Sequence, residues 1–139
     1  MQKYLMIARF CTTGVLLVIL SGCGSSGSPI VAVHGLVKLD GKPVSEAVVQ
    51  FVPEKGRPST GITDANGRYD LVYTHDQKGA LIGTHKVKIT TDREKAVVEG
   101  KVVQETVLEK IPMQYNVNSN LTAAVKTSGS AIDFELSSK

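Results

Sequence analysis

A thiol, three imidazoles and scattered carboxylates are the groups with chemistry to offer in this 139-residue chain. Cys23 follows Ser21 and Gly22, whose small side chains let an extended backbone enter a signal peptidase cleft, and its thiol can take a diacylglycerol as a thioether. Asp64, Asn66 and Asp70 offer oxygen ligands to a hard cation. An EF-hand-type calcium loop, however, needs Gly at its sixth position and a bidentate Glu at its twelfth. Counted from Asp64, Gly67 comes fourth and the twelfth residue is His75, so a turn that needs left-handed backbone explains the same residues. His75 and His85 lack a third zinc ligand in any evident register. Two Cys are too few for a four-thiolate metal site or for the disulfide framework of a small secreted scaffold. No metal and no cofactor is expected.

Lys38 and Asp133, on the first and last strands, are placed for an intramolecular amide crosslink. Both are expected to face water, which keeps the lysine protonated and non-nucleophilic. His34 is expected opposite the valines of its strand and His75 in a loop. General acid–base work needs such groups within about 3 Å of a shared substrate, and the spacing gives no reason for them to converge. Surface or rim positions are expected for the histidines.

The elements that carry these residues begin with an address. Lys3 and Arg9 precede an apolar run over 10–20, and no acid occurs before Cys23. That run is too short for a membrane span, which needs about 20 apolar residues, but it has the length and flanks of a secretory signal. Leu20-Ser21-Gly22-Cys23 resembles a bacterial lipobox. The resemblance implies recognition of Leu20, Ser21 and Gly22 by the signal peptidase, cleavage before Cys23, thioether lipidation of Cys23, and acylation of the new terminus by a chain such as palmitate. Two or more acyl chains anchor stably where one does not. Gly24 rather than Asp follows the Cys, which under the enterobacterial sorting rule suggests the periplasmic face of the outer membrane. The expected organisation is a signal peptide over 1–22, a lipidated Cys and flexible tether over 23–29, and one folded domain over 30–139.

Composition narrows the partners. The formal charge is +3, and loss of Lys3 and Arg9 with the leader reduces it to +1, too little for a nucleic-acid footprint. Trp is absent and aromatics make up 5%, so no stacking platform for single strands is expected. Cys11 departs with the leader and Cys23 is blocked by lipid, which leaves the folded part without thiol chemistry.

After the tether the chain alternates with period two, the mark of half-buried strands. Val31, Val33, Gly35, Val37 and Leu39 share one face, and Asp40-Gly41-Lys42-Pro43 is a turn. A second strand is expected over 44–52 with Val49 and Phe51 inward, and a short one over 60–63. Tyr69, Leu71 and Tyr73 alternate next, and 75–83 reads as a loop. Val87 and Ile89 face inward between Lys86 and Lys88. Leu121, Ala123 and Val125, then Ile132, Phe134 and Leu136, form the last two strands around Ser128-Gly129-Ser130. The stretch 92–110 is charge-rich and is expected to be an irregular insertion, with a helix as the alternative. The pattern predicts an all-β, seven-stranded antiparallel sandwich.

Gly35-Leu36-Val37-Lys38-Leu39-Asp40-Gly41-Lys42-Pro43-Val44 and Ala47-Val48-Val49-Gln50-Phe51 resemble the opening hairpin of carboxypeptidase regulatory-like, transthyretin-like domains. Thr63-Asp64-Ala65-Asn66-Gly67-Arg68-Tyr69 is similar to that family's turn-and-strand signature. The segment 79–87 resembles its loop into the fifth strand. Ile111-Pro112-Met113-Gln114-Tyr115 and the closing strands resemble the small lipoprotein version found in planctomycete bacteria. The likeness covers about 30–136 apart from 92–110. It implies a transthyretin-like (prealbumin-like) β-sandwich and a non-catalytic binding or structural module of the cell envelope, with membrane lipid as its partner through Cys23.

Two other classes remain open. Transthyretin-like folds include the 5-hydroxyisourate hydrolases, for which the resemblance implies paired His, an Arg and a Tyr-Arg-Gly-Ser ending; this chain ends Glu135-Leu136-Ser137-Ser138-Lys139. The chain is alternatively a subunit of an envelope complex, or a glycan-binding module with a polar rim of Ser59, Thr60, Tyr115 and residues 116–120.

Overall fold

Asp40 and Gly41 both take positive φ, 51° and 78°, and so reverse the chain in the sense that matches strand twist. That turn joins β2 (Val33–Leu39) to β3 (Lys42–Pro43), with Leu39 opposite Lys42; the two-residue β1 (Ile30–Val31) precedes them. The strand expected from residue 44 starts later, as β4 (Val48–Pro53). Glu46 has φ 59° and interrupts the extended run, while the Ala47 amide donates to the Thr63 hydroxyl at 2.8 Å. The computed structural model describes residues 29–93, 96–104 and 106–139.

Chain order continues through β5 (Ser59–Ile62), β6 (Arg68–Asp70), β7 (Val72–Thr74), β8 (Gln77–Lys78), β9 (Ala80–Leu81) and β10 (Gly83–Thr90). Then come β11 (Ala96–Val98), β12 (Lys101–Gln104), a 3-10 turn over Met113–Tyr115, β13 (Thr122–Val125), β14 (Ser130–Ala131) and β15 (Phe134–Leu136). The described residues are thus all-β apart from that turn. The segment expected as a loop between 75 and 83 carries β8 and β9 instead.

One sheet has six strands in the order β13-β10-β4-β5-β7-β8, all antiparallel. The other is built around β2, which pairs antiparallel with β3 and β6 and parallel with β14 and β15. The parallel ladder departs from the purely antiparallel expectation. After β13 the chain crosses from the larger sheet to the smaller one instead of folding back on itself, so β15 runs alongside β2, with Glu135 beside Lys38.

The inner faces of the two sheets meet in one sandwich-like core. Val49 and Phe51 of β4, Val87 and Ile89 of β10, and Val125 of β13 face Val33 and Val37 of β2, Tyr69 of β6 and Phe134 and Leu136 of β15, all buried. Phe51 sits between the sheets, 6.5 Å from the Tyr69 ring centroid and 6.1 Å from that of Phe134. Each large apolar side chain so buried contributes about 1.5–3 kcal/mol, and such aromatic contacts add about 0.5–1.5 kcal/mol.

Two close approaches lock the smaller sheet. The Tyr69 hydroxyl donates to the Ile132 carbonyl at 2.6 Å, and that oxygen lies where a Cβ on Gly35 would fall, only 1.8 Å away. Between β14 and β15, Asp133 Oδ1 accepts the Leu36 amide at 2.8 Å, filling a gap in the ladder with a side chain.

The 92–110 stretch is a β-hairpin where it is described. β11 and β12 pair antiparallel, and Arg93 and Val107 form a bridge below them. Glu99 and Gly100 make the turn with φ 50° and 76°. Neither the irregular reading nor the helical alternative holds there. The valines that a helix would have gathered on one side are instead spread along two strands.

Candidate functional site

The expected processing site lies outside the described residues: Leu20, Ser21, Gly22 and Cys23 all precede Pro29. The structure does place the point where the chain enters the domain. Ile30 pairs with Leu81 of β9, and the Ile82 amide donates to the Pro29 carbonyl at 3.1 Å. Whatever is attached upstream is therefore delivered to the end of the sandwich formed by β9, the 53–58 loop and the 126–129 turn.

The histidines are dispersed. His34 is exposed on the outer face of β2, opposite Asp70 of β6. His75 is exposed beside Asp76, with Nδ1 2.8 Å from its carboxylate. His85 departs from the expectation of a surface or rim position: it is 1% exposed, on the same face of β10 as Val87 and Ile89. Its ring lies 5.7 Å from Phe51, and its Nε2–H donates to the Leu81 carbonyl at 2.7 Å, which leaves Nδ1 buried with no partner. The period-two pattern already put residue 85 on the inward face; only its polar side chain argued for the outside. His34 and His85 thus belong to opposite sides of different sheets.

The other sequence candidates resolve into backbone chemistry. Asp64 Oδ1 accepts the amides of Asn66 at 2.8 Å and Arg68 at 2.9 Å, the self-contained turn that such residues form. Among the described residues no three His, Cys, Asp or Glu side chains gather as a metal site would require. The polar rim is divided: Ser59, Asn116 and Ser119 are buried, Thr60 and Tyr115 half-buried, and Val117, Asn118 and Asn120 exposed; Asn116 donates through Nδ2 to the Ile111 carbonyl at 3.0 Å. The Ser119 hydroxyl donates to the Val87 carbonyl. Tyr115 is half-buried and its hydroxyl accepts the Ser137 amide at 3.2 Å. Tyr73, expected inside, is also half-buried and stacks under the Arg57 guanidinium, 5.8 Å from the ring centroid.

An open depression of about 420 Å³ lies on the smaller sheet, between His34, Arg68, Asp70 and Asp133. Its floor is the Gly35–Tyr69 contact. Burial pushes the Tyr69 hydroxyl well above the ordinary phenol range, and the nearby Asp133 charge adds to the effect. Tyr69 therefore stays a hydrogen-bond donor to Ile132 and offers no phenolate. Asp133 is committed to the Leu36 amide. The residues lining the depression include no Ser, Thr or Cys hydroxyl or thiol paired with a base.

No family model, curated protein or solved structure matches this chain.

Proposed function

We propose that the chain is an exported lipoprotein, held at a membrane through Cys23, whose transthyretin-like β-sandwich serves as a non-catalytic binding or structural module of the cell envelope. The observation that carries this reading is the sequence of N-terminal features: basic residues, the apolar run over 10–20, Leu20-Ser21-Gly22-Cys23 and a Gly/Ser stretch, placed directly before a domain whose first strand begins at Ile30. The dispersal of His34, His75 and His85 supports a module without hydrolytic chemistry. So does the use of Asp64, Asn116 and Ser119 as backbone partners. The prealbumin-like arrangement is favoured by two facing sheets and by the order of the turn signatures at 40–43 and 64–67.

The test is expression of the full chain and of Cys23→Ser in a bacterium that processes lipoproteins. The parent should partition with membranes and carry a diacylglycerol on a new N-terminal Cys23 by mass spectrometry. The variant should retain its leader and carry no lipid. A variant cleaved before residue 23 and still membrane-bound would defeat the proposal.

A further inference from the structure

We infer that the end of the sandwich where the tether enters is a docking face for an anionic lipid surface, so that the domain stands on the bilayer by its 53–58 loop and its 75–76 and 126–129 turns. This rests on the anchoring through Cys23 proposed above. Strand register defines that end. Ile30 pairs with Leu81, Gly83 with Val125, His85 with Pro53, and Ser130 with Val33. These pairings bring the entry point, the 53–58 loop and the 126–129 turn to one side, and β7, paired through Val72 with Thr60 of β5, carries the 75–76 turn there as well.

The exposed charges there are Lys55, Arg57 and Lys126 against Glu54 and Asp76, and Asp76 already faces His75. None of the three basic side chains is in an ion pair among the described residues. The opposite end interleaves Asp40, Glu46, Asp64, Asp92 and Glu109 with Lys42, Arg93, Lys110 and Lys139, Arg93 lying 3.1 Å from Glu46, so it carries a slight excess of acid and a field from an anionic surface favours the entry end.

Distance makes the field effective. Residues 24–29 span at most about 20 Å when fully extended, while the Debye length is about 8–10 Å at physiological salt. A domain held this close cannot leave the surface potential by more than a few screening lengths. Each basic residue near such a surface favours contact by about fivefold.

Orientation is read with the lipidated full chain reconstituted in vesicles of phosphatidylcholine alone or with about one third phosphatidylglycerol. Fluorophores are placed singly on Thr127→Cys, at the entry end, or Ser45→Cys, at the far end, and quenched by spin-labelled headgroups. In phosphatidylglycerol vesicles the label at 127 should be quenched several-fold more than that at 45. The ratio should fall toward its phosphatidylcholine value at about 1 M salt, and in a Lys55→Glu/Lys126→Glu variant that keeps its lipid. Equal quenching at both ends, stronger quenching at 45, or a ratio indifferent to lipid charge and salt overturns the inference. A chain whose mass shows no lipid on Cys23 brings down the anchoring reading itself, and this face with it; the two failures are told apart by the mass spectrum.

Discussion

The Glu109 carboxylate accepts the Thr91 amide at 3.0 Å, closing the base of the hairpin that rises between them. The same oxygen takes the Ile111 amide at 2.8 Å, and the Thr90 and Thr91 hydroxyls donate to the carboxylate as well. Thr91 Oγ1 in turn accepts the Lys110 amide at 2.7 Å. One acid therefore holds both feet of β11–β12 against the end of β10.

Partial burial by itself would raise the Glu109 carboxyl, but the hydrogen bonds from Thr90, Thr91 and Ile111 outweigh it and hold it below the usual carboxylate range. The folded group titrates below its unfolded value of 4.5. Its stabilisation is therefore present above that pH and lost as pH falls through the folded value. Glu109→Gln should lower stability by about 1 kcal/mol at neutral pH, a figure already discounted for solvent screening. Urea midpoints of the two proteins should converge as the pH falls through the folded value of Glu109; a gap that stays constant across the range would contradict this role.

Phe51 touches rings from both sheets, so truncating it removes the contact that joins them. Phe51→Ala should cost about 3–5 kcal/mol. Against a total stability of about 5–15 kcal/mol, thermal and urea unfolding should shift strongly, with an unchanged denaturant slope.

Gly35 and Gly41 separate steric from conformational demand. A Cβ at Gly35 would lie 1.8 Å from the Ile132 carbonyl, whereas at Gly41, with φ 78°, it would meet nothing within 4 Å. Gly35→Ala should cost about 3 kcal/mol or more, because a backbone carbonyl must move and the Tyr69 bond with it. Gly41→Ala should cost only about 1 kcal/mol, the penalty for left-handed backbone. Similar losses for the two variants in urea titrations would refute the tight approach of β2 to residue 132.

Native-state carbethoxylation should modify His34 and His75 and spare His85, which is 1% exposed. Peptide mass mapping should find the His85 adduct only after unfolding in urea. Early labelling of His85 would mean that β10 does not present it to the core.

Much of this architecture was legible in the chain. Alternation put Val33, Val37, Val49, Phe51, Val87, Ile89, Phe134 and Leu136 on inward faces because a strand's side chains point to opposite sides with a period of two. The turns at 40–41 and 64–67 were legible because Asp, Asn and Gly there satisfy left-handed or self-bonded backbone locally. Tertiary structure decided what depends on distant partners. Which strand β15 joins, and in which direction, follows from its crossing to the smaller sheet, because period two names a face and not a neighbour. His85 lies inside because the Leu81 carbonyl and the Phe51 ring meet it there. Residues 96–104 extend as a hairpin because Glu109 and Thr91 fix its two ends together, a closure made between residues 18 apart in the chain.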